Sequence, residues 1–509
     1  MDKTKSTPLE RALLRFWNIT ARDRLSFAAA FVFGLLAHMF AFTNKLVNAD
    51  EIESLFGKGA TITSGRWGLE AVKLIFPDYS MPWLWGLVSL LCISAAVCLI
   101  IRLFDIRGAL TKLLLAGLIT SFPSETGVFC FMFTSTAYAL SFFLAVLAAY
   151  LFCCGAKYRV SLCAVLMAAS LGIYQAYIAV TASFILVYMI KKALDDESAK
   201  DILFFGFKAL LMLLVSLILY GLVTYAVLRL TGSQFNSYVR DNVNERSIIG
   251  RIRMAYDFML YYLSYREFAL ITSETSRIFH ILLFALCALA LGATALKKIK
   301  THHALGAALI IVCAALLPLA VNCMYLAMAK DSIHTLVIYS FIAFYVLAAI
   351  LMERVLAGAA LYKRAARDVV YIALAVALVS NVYFANEVYL KMFLQYENAY
   401  SFYSILLSRA ESLEGFNEGT KLALIGHQDN TLTSFDEIDT GYITGVEREL
   451  VNIYSRENFL RRYIGTDIPL AGAEETARLE ATAEFADMAE YPYYGSVKMI
   501  DGYAVVKLG

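Results

Sequence analysis

Residues 25–43, LSFAAAFVFGLLAHMFAFT, form one uninterrupted apolar run, and the segment NKLVNADE at 44–51 follows it directly. A run of this length is enough to cross the hydrocarbon core of a bilayer as an α-helix. It is too long for the core of a signal peptide and lacks a small-residue cleavage site, so we expect it to be retained as a spanning helix. The chain therefore crosses a membrane first here and emerges at an acidic pair, Asp50 and Glu51.

The composition extends this conclusion to most of the chain. Hydrophobic residues make up 60% of the 509 residues, charged residues 17%, and the mean hydropathy is +0.65. The apolar residues occur in long runs rather than in helical stripes, which is typical of a polytopic α-helical membrane protein and gives no indication of a nucleic-acid partner. At about twenty residues per crossing, we predict about eleven spans, at 25–43, 82–101, 110–122, 135–154, 160–174, 176–190, 204–229, 278–296, 304–321, 334–352 and 369–390.

The distribution of Lys and Arg predicts the orientation of these spans. Cytoplasmic loops are enriched in these residues, and five predicted loops on one side carry them, at Arg102/Arg107/Lys112, Lys157/Arg159, Lys191/Lys192, Lys297/Lys298/Lys300 and Arg354/Lys363/Arg364/Arg367. Residues 1–24 lie on the same side and mix arginines with large apolar residues, which predicts a cytoplasmic amphipathic helix. An odd number of spans then places the acidic pair and the C-terminal part outside, leaving residues 25–390 as the transmembrane domain.

Residues 391–509 form a separate acidic segment. They contain nineteen Asp and Glu against ten Lys and Arg, a net charge of −9, so the rest of the chain carries about +11. A helix is predicted from Met392 to Leu413, a strand from Lys421 to Gly426, and a hairpin of Val497–Ile500 and Tyr503–Leu508 turning at Asp501-Gly502. We therefore predict a small extracytoplasmic α+β domain, and acceptor binding, lid packing and a structural cap are all open as its role.

The first outer loop, residues 44–81, holds the clearest chemical signal. Adjacent carboxylates at the end of a spanning helix can simply be a solvated helix end. Here, however, they share the loop with cations that the outer face does not favour by default, at Lys45, Lys58, Arg66 and Lys73. Carboxylates together with cations on one loop favour a reaction centre over a plain helix terminus.

A second outer segment, residues 231–277, is rich in arginine and tyrosine. The planar guanidinium group suits phosphate oxygens, and tyrosine suits a sugar face or the membrane interface. We select Arg251 and Arg253 as candidate phosphate ligands, although residues two apart on a helix do not share a face. An interfacial helix whose arginines meet lipid headgroups remains the alternative.

Polar residues at the ends of other spans are candidates for lining a cavity. Glu125 follows the third span, and Tyr174 and Gln175 separate the fifth from the sixth. Each is also an ordinary loop or cap residue by itself, as His38 in the first span is an ordinary interhelical hydrogen-bond partner. The nine cysteines show neither disulfide nor metal spacing, so we interpret them as small core residues.

Together these residues carry a resemblance to a known family. The stretches Asn48-Ala49-Asp50-Glu51, Ser64-Gly65-Arg66-Trp67, Phe122-Pro123 and Tyr174-Gln175-Ala176-Tyr177, with the basic N-terminus and the outer tail, resemble the type II glucosyltransferases of bacterial surface-polysaccharide modification. That family includes serotype-converting O-antigen glucosyltransferases. The resemblance covers roughly residues 1–390 and is weak in the tail.

The resemblance implies a glycosyltransferase of the GT-C architecture in the bacterial cytoplasmic membrane. Such an enzyme moves a sugar, here glucose or another hexose, from a polyprenyl-phosphate carrier to a cell-surface glycan or lipid-linked acceptor outside. It implies that Asp50, with Glu51 beside it, is the catalytic base, and a carboxylate suits that task. Outer arginines (Arg66, Arg251, Arg253) would bind the donor phosphate, and Trp67, Glu125, Tyr174 and Gln175 would line the substrate cavity. No metal ligand set is visible; a metal is not obligatory, and a divalent ion is not excluded.

Two other classes of protein fit parts of the pattern. A transporter or flippase for a lipid-linked sugar would use the same charges as a translocation path. Against it are the absence of an obvious inverted repeat, the unequal spans and the large tail. A non-catalytic scaffold would leave the acidic pair and the outer arginines without a role.

Overall fold

A computed structural model describes residues 7, 21–54, 61–77, 79–264, 272–329, 334–427, 438, 440, 443–446, 450 and 455–509. The predicted amphipathic helix at 1–24 lies outside the described residues except for Thr7 and its last four positions, and Lys58 lies outside them entirely. The helices are, in chain order, α1 (Ala21–Thr43), α2 (Ala49–Ser54), α3 (Trp67–Lys73), α4 (Pro82–Leu103), α5 (Ala109–Thr120), α6 (Pro123–Cys130), α7 (Met132–Cys153), α8 (Arg159–Ile173), α9 (Ile178–Leu194), α10 (Ala199–Thr231), α11 (Ser237–Asp241), α12 (Ile248–Ser264), α13 (Glu274–Lys300), α14 (Ala304–Val321), α15 (Ile342–Arg354), α16 (Leu361–Glu411), α17 (Arg456–Phe459), α18 (Ala473–Glu480) and α19 (Ala483–Ala486).

The long apolar helices make this a multi-pass membrane protein. Within the described ranges, nine helical segments are long and apolar enough to cross a bilayer, and all nine coincide with predicted spans. Two of them combine neighbouring elements: Ala109–Cys130 consists of α5 and α6, and Gln175–Leu194 consists of a short turn and α9. The predicted fifth and tenth spans coincide with α8 and α15, which have 15 and 13 residues. The total of eleven therefore stays a prediction.

The third span is built differently from a plain crossing helix. Helix α5 ends at Thr120, Phe122 is extended with φ −60° and ψ 140°, and Pro123 occupies the first turn of α6. A residue before proline avoids the helical region, and proline itself is favoured at a helix start because it has no N–H to satisfy. The Phe122-Pro123 pair thus breaks the span into two helices, Ala109–Thr120 and Pro123–Cys130.

The described structure divides into two compact units. The first, the membrane unit, comprises Met1–Thr43, Ala60–Asn386 and Thr440–Thr444; the second, the C-terminal unit, comprises Asn44–Gly59, Glu387–Asp439 and Gly445–Gly509. Residues 44–54, which precede the second spanning helix in sequence, thus belong with the C-terminal segment. The domain boundaries predicted at 24/25 and 390/391 stay a prediction.

A three-stranded sheet forms the centre of the C-terminal unit. Its order is β1-β3-β2, where β1 is Lys421–Ile425, β2 is Val497–Ile500 and β3 is Tyr503–Lys507. Strands β2 and β3 pair antiparallel through Asp501 and Gly502, whose φ angles of 49° and 81° confirm the predicted tight hairpin. Strand β1 lies parallel to β3. The predicted last span and tail helix differ from expectation, since both belong to the single helix α16.

Candidate active site

The acidic pair lies in the first turn of the short helix α2. Asn48 caps this helix, because its Oδ1 accepts the Glu51 N–H at 2.9 Å and its carbonyl accepts the Ile52 N–H at 3.0 Å. Asparagine is a preferred cap, and its loss costs about 1 kcal/mol. Carboxylates in the first turn are further stabilised by the positive end of the helix dipole. The sequence NADE is therefore a local helix start as well as a candidate site.

The two carboxylates have different surroundings. Glu51 is fully buried, and its Oε1 forms an ion pair with Nζ of Lys45. Asp50, which directly precedes it in the same turn, is exposed. A substrate cannot reach a fully buried carboxylate directly, whereas it can reach an exposed one. The two neighbours therefore differ in burial: Glu51 is enclosed beside Lys45, whereas the Asp50 side chain is exposed.

The apolar side of α2 belongs to the main core of the C-terminal unit. Ala49 and Ile52 share this core with Tyr403 of α16 and Phe459 of α17. Tyr463, which stacks on Phe459 with 5.2 Å between ring centroids, is also close to Glu51. Burial and the negative charge of Glu51 together raise the pKa of Tyr463, so its phenol stays neutral.

In the membrane unit, the Ser64-Gly65-Arg66 turn forms a second cluster of polar groups. Gly65 has φ 70°, a left-handed conformation that glycine adopts without strain. Tyr220 of α10 donates its hydroxyl to the Gly65 carbonyl at 3.1 Å, and Gln175 donates Nε2 to the Ser64 carbonyl at 3.1 Å and to the Tyr220 hydroxyl at 3.0 Å. Asn236 adds two contacts, to the Thr63 carbonyl and to Oγ of Ser64. Side chains far apart in sequence thus fix the backbone that presents Arg66.

The Arg66 guanidinium lies against two tyrosines. Its Nη1 donates to the Tyr138 hydroxyl at 3.0 Å, and its central carbon lies 5.2 Å from the centroid of the Tyr174 ring. These two rings stack on one another at 4.3 Å. A cation held by a hydrogen bond and a ring face has little rotational freedom, which is suited to binding a phosphate group in one orientation.

Trp67 packs directly behind this turn. Its Nε1 donates to Oγ1 of Thr224 at 3.1 Å, and its ring covers Gly172 of α8 so closely that a Cβ there would lie 2.5 Å from the ring. The tryptophan therefore joins α3 to α8 and α10.

Glu125 lies on α6 behind the Arg66 cluster, because Tyr177 is a neighbour of Glu125 and its ring also packs against Tyr174, with 5.3 Å between centroids. The Glu125 side chain is fully buried. The hydroxyls of Tyr177 and Tyr339 lie close enough to interact electrostatically with its carboxylate. Burying a carboxyl group inside a membrane protein costs free energy, so a residue of this kind is a candidate for a functional role.

The arginines of the second outer segment have other partners. Arg251 donates Nε to the Arg246 carbonyl and Nη1 to the Leu326 carbonyl, both at 2.8 Å. Arg253 is 82% exposed and forms an ion pair with Asp257. No contact found among the described residues joins either arginine to Arg66. Arg251 therefore links the backbone at Arg246 to the backbone at Leu326. Its role as a phosphate ligand stays a prediction.

The structure thus brings together four of the nine predicted site residues: Arg66, Trp67, Tyr174 and Gln175. Sequence reasoning missed Tyr138, Tyr220 and Asn236, which complete this cluster. The available signal was a tyrosine hydroxyl inside an apolar run, because a polar group at membrane depth requires a partner. Among the residues described, no three His, Cys, Asp or Glu side chains form a group that would hold a metal ion.

Comparison with known proteins adds one finding. The family described as Glucosyl transferase GtrII matches residues 39–352, more than half of the chain. No curated protein and no solved structure matches.

Proposed function

Because this chain belongs to the GtrII glucosyl transferase family, we propose that it transfers glucose from a polyprenyl-phosphate carrier to a cell-surface or lipid-linked glycan. Family membership makes it a glycosyltransferase with a sugar donor and an acceptor. The carrier, the acceptor and the location of the reaction, at the outer face of the bacterial cytoplasmic membrane, belong to our proposal. A lipid-linked donor is consistent with a multi-pass protein whose charged loops carry the candidate groups.

Asp50 acts as the base in this proposal. The acceptor hydroxyl attacks the anomeric carbon, its proton passes to the Asp50 carboxylate, and the bond from that carbon to the phosphate oxygen breaks. The phosphate leaves with the bonding electron pair. The observation that supports this role is the difference in burial between the two carboxylates. Asp50 is exposed on a capped helix, whereas Glu51 is buried against Lys45. A general base needs access to the proton that it removes.

Arg66 stabilises the departing phosphate in the same proposal. Charge increases on the leaving group as the glycosidic bond breaks, so a fixed cation lowers the barrier. The turn contacts and the two stacked tyrosines restrict Arg66, which reduces the reorganisation needed when the donor binds.

The test compares Asp50→Asn with Glu51→Gln in purified protein given radiolabelled polyprenyl-phosphate glucose and membrane glycans. Asp50→Asn keeps the size of the side chain and removes the base, so we expect turnover to fall by about two to four orders of magnitude with donor binding retained. Glu51→Gln weakens one ion pair but leaves Asp50 in place. Its expected effect is a modest loss of thermal stability, on the order of 1 kcal/mol, and turnover within about tenfold of wild type.

Wild-type transfer by Asp50→Asn would remove Asp50 as the base. A severe loss in Glu51→Gln alone would give the role to Glu51 instead. Movement of intact donor across liposomes without transfer of label to any glycan would favour the transporter class.

A further inference from the structure

Helix α2 cannot hold its own shape, because it has only six residues. Isolated helices of this length are not stable in water. Asn48 satisfies its N-terminal end, but the last carbonyls of any helix have no partner within it. The conformation of the Asp50 backbone therefore depends on the core packing of Ala49 and Ile52 and on the groups that bind the C-terminal end of the helix.

Arg462 occupies that end. Its Nη1 donates to the carbonyl of Ile52 and, at 2.9 Å, to the carbonyl of Glu53. A cation beside the final carbonyls of a helix both satisfies them and interacts favourably with the negative end of the dipole. Two bonds from one nitrogen to successive carbonyls fix the helix end in position and direction.

Asn458 provides a second attachment one turn earlier. Its Nδ2 donates to Oε2 of Glu53 at 2.8 Å. Asn458 is in α17, and Arg462 is in the π-helical turn Leu460–Ile464 that follows directly. π-Helical turns are rare in proteins, and those that occur are often found at functional sites. The two neighbouring arginines of this turn have different partners. Arg462 binds the end of α2, whereas Arg461 forms an ion pair with Glu457, four residues earlier in the chain, at 2.9 Å.

We propose that Asn458 and Arg462 are positioning residues for the transfer reaction, and that the C-terminal unit serves to fix the acidic helix that presents Asp50. This inference rests on the proposed role of Asp50. It assigns a task to residues 455–464, which lie beyond the family match ending at residue 352. The acceptor hydroxyl must meet Asp50 at hydrogen-bond distance, and a displacement of about 1 Å is enough to lower turnover a hundredfold.

The first experiment replaces Arg462 by Met and, as a matched control, Arg461 by Met in the full-length protein. We expect kcat to fall roughly ten- to a hundredfold in Arg462→Met, with the donor KM within about twofold of wild type because no donor contact changes. Arg461→Met loses only an exposed intrahelical pair and should be near wild type. Arg462→Lys, which keeps a cationic donor for the two carbonyls, should recover most of the activity.

The second experiment exchanges donor and acceptor between Asn458 and Glu53. Asn458→Asp sets two carboxylates against each other and should lower kcat. Adding Glu53→Gln restores a hydrogen bond with its direction reversed, so the double variant should recover activity. Recovery in the double variant excludes simple misfolding as the cause of the loss.

Amide hydrogen exchange provides a readout that does not depend on catalysis. Arg462→Met should increase exchange in residues 46–54 relative to Arg461→Met. In an Asp50→Asn background, it should change the residual rate by less than about twofold, because a positioning residue acts only through the base that it positions.

Two results would overturn the inference: unchanged kcat in Arg462→Met, or exchange in residues 46–54 equal to that of the Arg461 control. Failure of the proposed function has a different signature. In that case Asp50→Asn itself would keep wild-type turnover, while the exchange experiment would still report whether Arg462 holds α2.

Discussion

Gly65→Ala is the sharpest test of how the membrane unit presents Arg66. A Cβ at this position would lie 2.6 Å from the Tyr220 hydroxyl, closer than any side-chain carbon approaches. The residue would also have to keep φ 70°, which costs roughly 1–2 kcal/mol for a residue other than glycine. Displacing Tyr220 breaks two hydrogen bonds, worth about 0.5–1.5 kcal/mol each. The local cost is therefore about 2–5 kcal/mol.

A matched control separates the backbone strain of a positive φ angle from the steric clash with Tyr220. Gly232 has φ 63°, and no atom lies within 4 Å of the position that a Cβ would take there, so Gly232→Ala incurs only the backbone cost. Scanning fluorimetry in one detergent should show a larger decrease in unfolding temperature for Gly65→Ala than for Gly232→Ala. The transfer assay should show roughly a ten- to hundredfold fall in kcat/KM for Gly65→Ala alone, because Arg66 moves with its turn.

The double variant Gly65→Ala/Tyr220→Phe tests whether the contact between Tyr220 and the turn sets the position of Arg66. Phenylalanine lacks the hydroxyl that the new Cβ would meet, so the two changes should be strongly non-additive. Additive losses, or equal behaviour of Gly65→Ala and Gly232→Ala, would show that the contact between Tyr220 and the turn does not set the position of Arg66.

Two further predictions concern the phosphate site and the topology. Arg66→Lys keeps the charge but cannot both donate to Tyr138 and stack on Tyr174, so donor KM should rise about ten- to a hundredfold. An unchanged donor titration would remove Arg66 from the site, and a defect that follows the anionic lipid content of the liposomes would make it a lipid anchor. In a cysteine-free background, a membrane-impermeant thiol reagent should label Tyr494→Cys but not Lys363→Cys in spheroplasts, and the opposite pattern would place the C-terminal unit in the cytoplasm.

The membrane architecture was predictable because its cause is local. Any run of about twenty apolar residues satisfies its backbone only as a helix in lipid, so nine of the eleven predicted spans, which coincide with long apolar helices among the described residues, followed from the apolar runs of the sequence. The same holds for the hairpin at Asp501-Gly502, which two adjacent residues determine. The break at Phe122-Pro123 was visible in the sequence, but its continuation as the helix Pro123–Cys130 was not.

The site was predictable only in part, because its remaining contacts are long-range. Tyr138 and Tyr220 meet the Gly65-Arg66 turn across more than seventy residues. A hydroxyl inside an apolar run indicates that a partner is needed, but no local pattern shows which group it is. For Arg251 the sequence pattern suggested a phosphate ligand, but in the structure its guanidinium group donates to two backbone carbonyls. Which group an arginine meets is decided by tertiary packing.

The core that surrounds α2 also has a consequence for biosynthesis. It joins Ala49 and Ile52 to Ala504 and Val506, which are synthesised more than 450 residues later. At 5–20 residues per second, the ribosome needs about 20–90 s to cover that interval. During this time the first spanning helices are already made, while the acidic helix lacks part of its packing. A chain interrupted before β3 would therefore carry the Arg66 turn without a fully supported candidate base, so the ability to use a donor would arise late in translation.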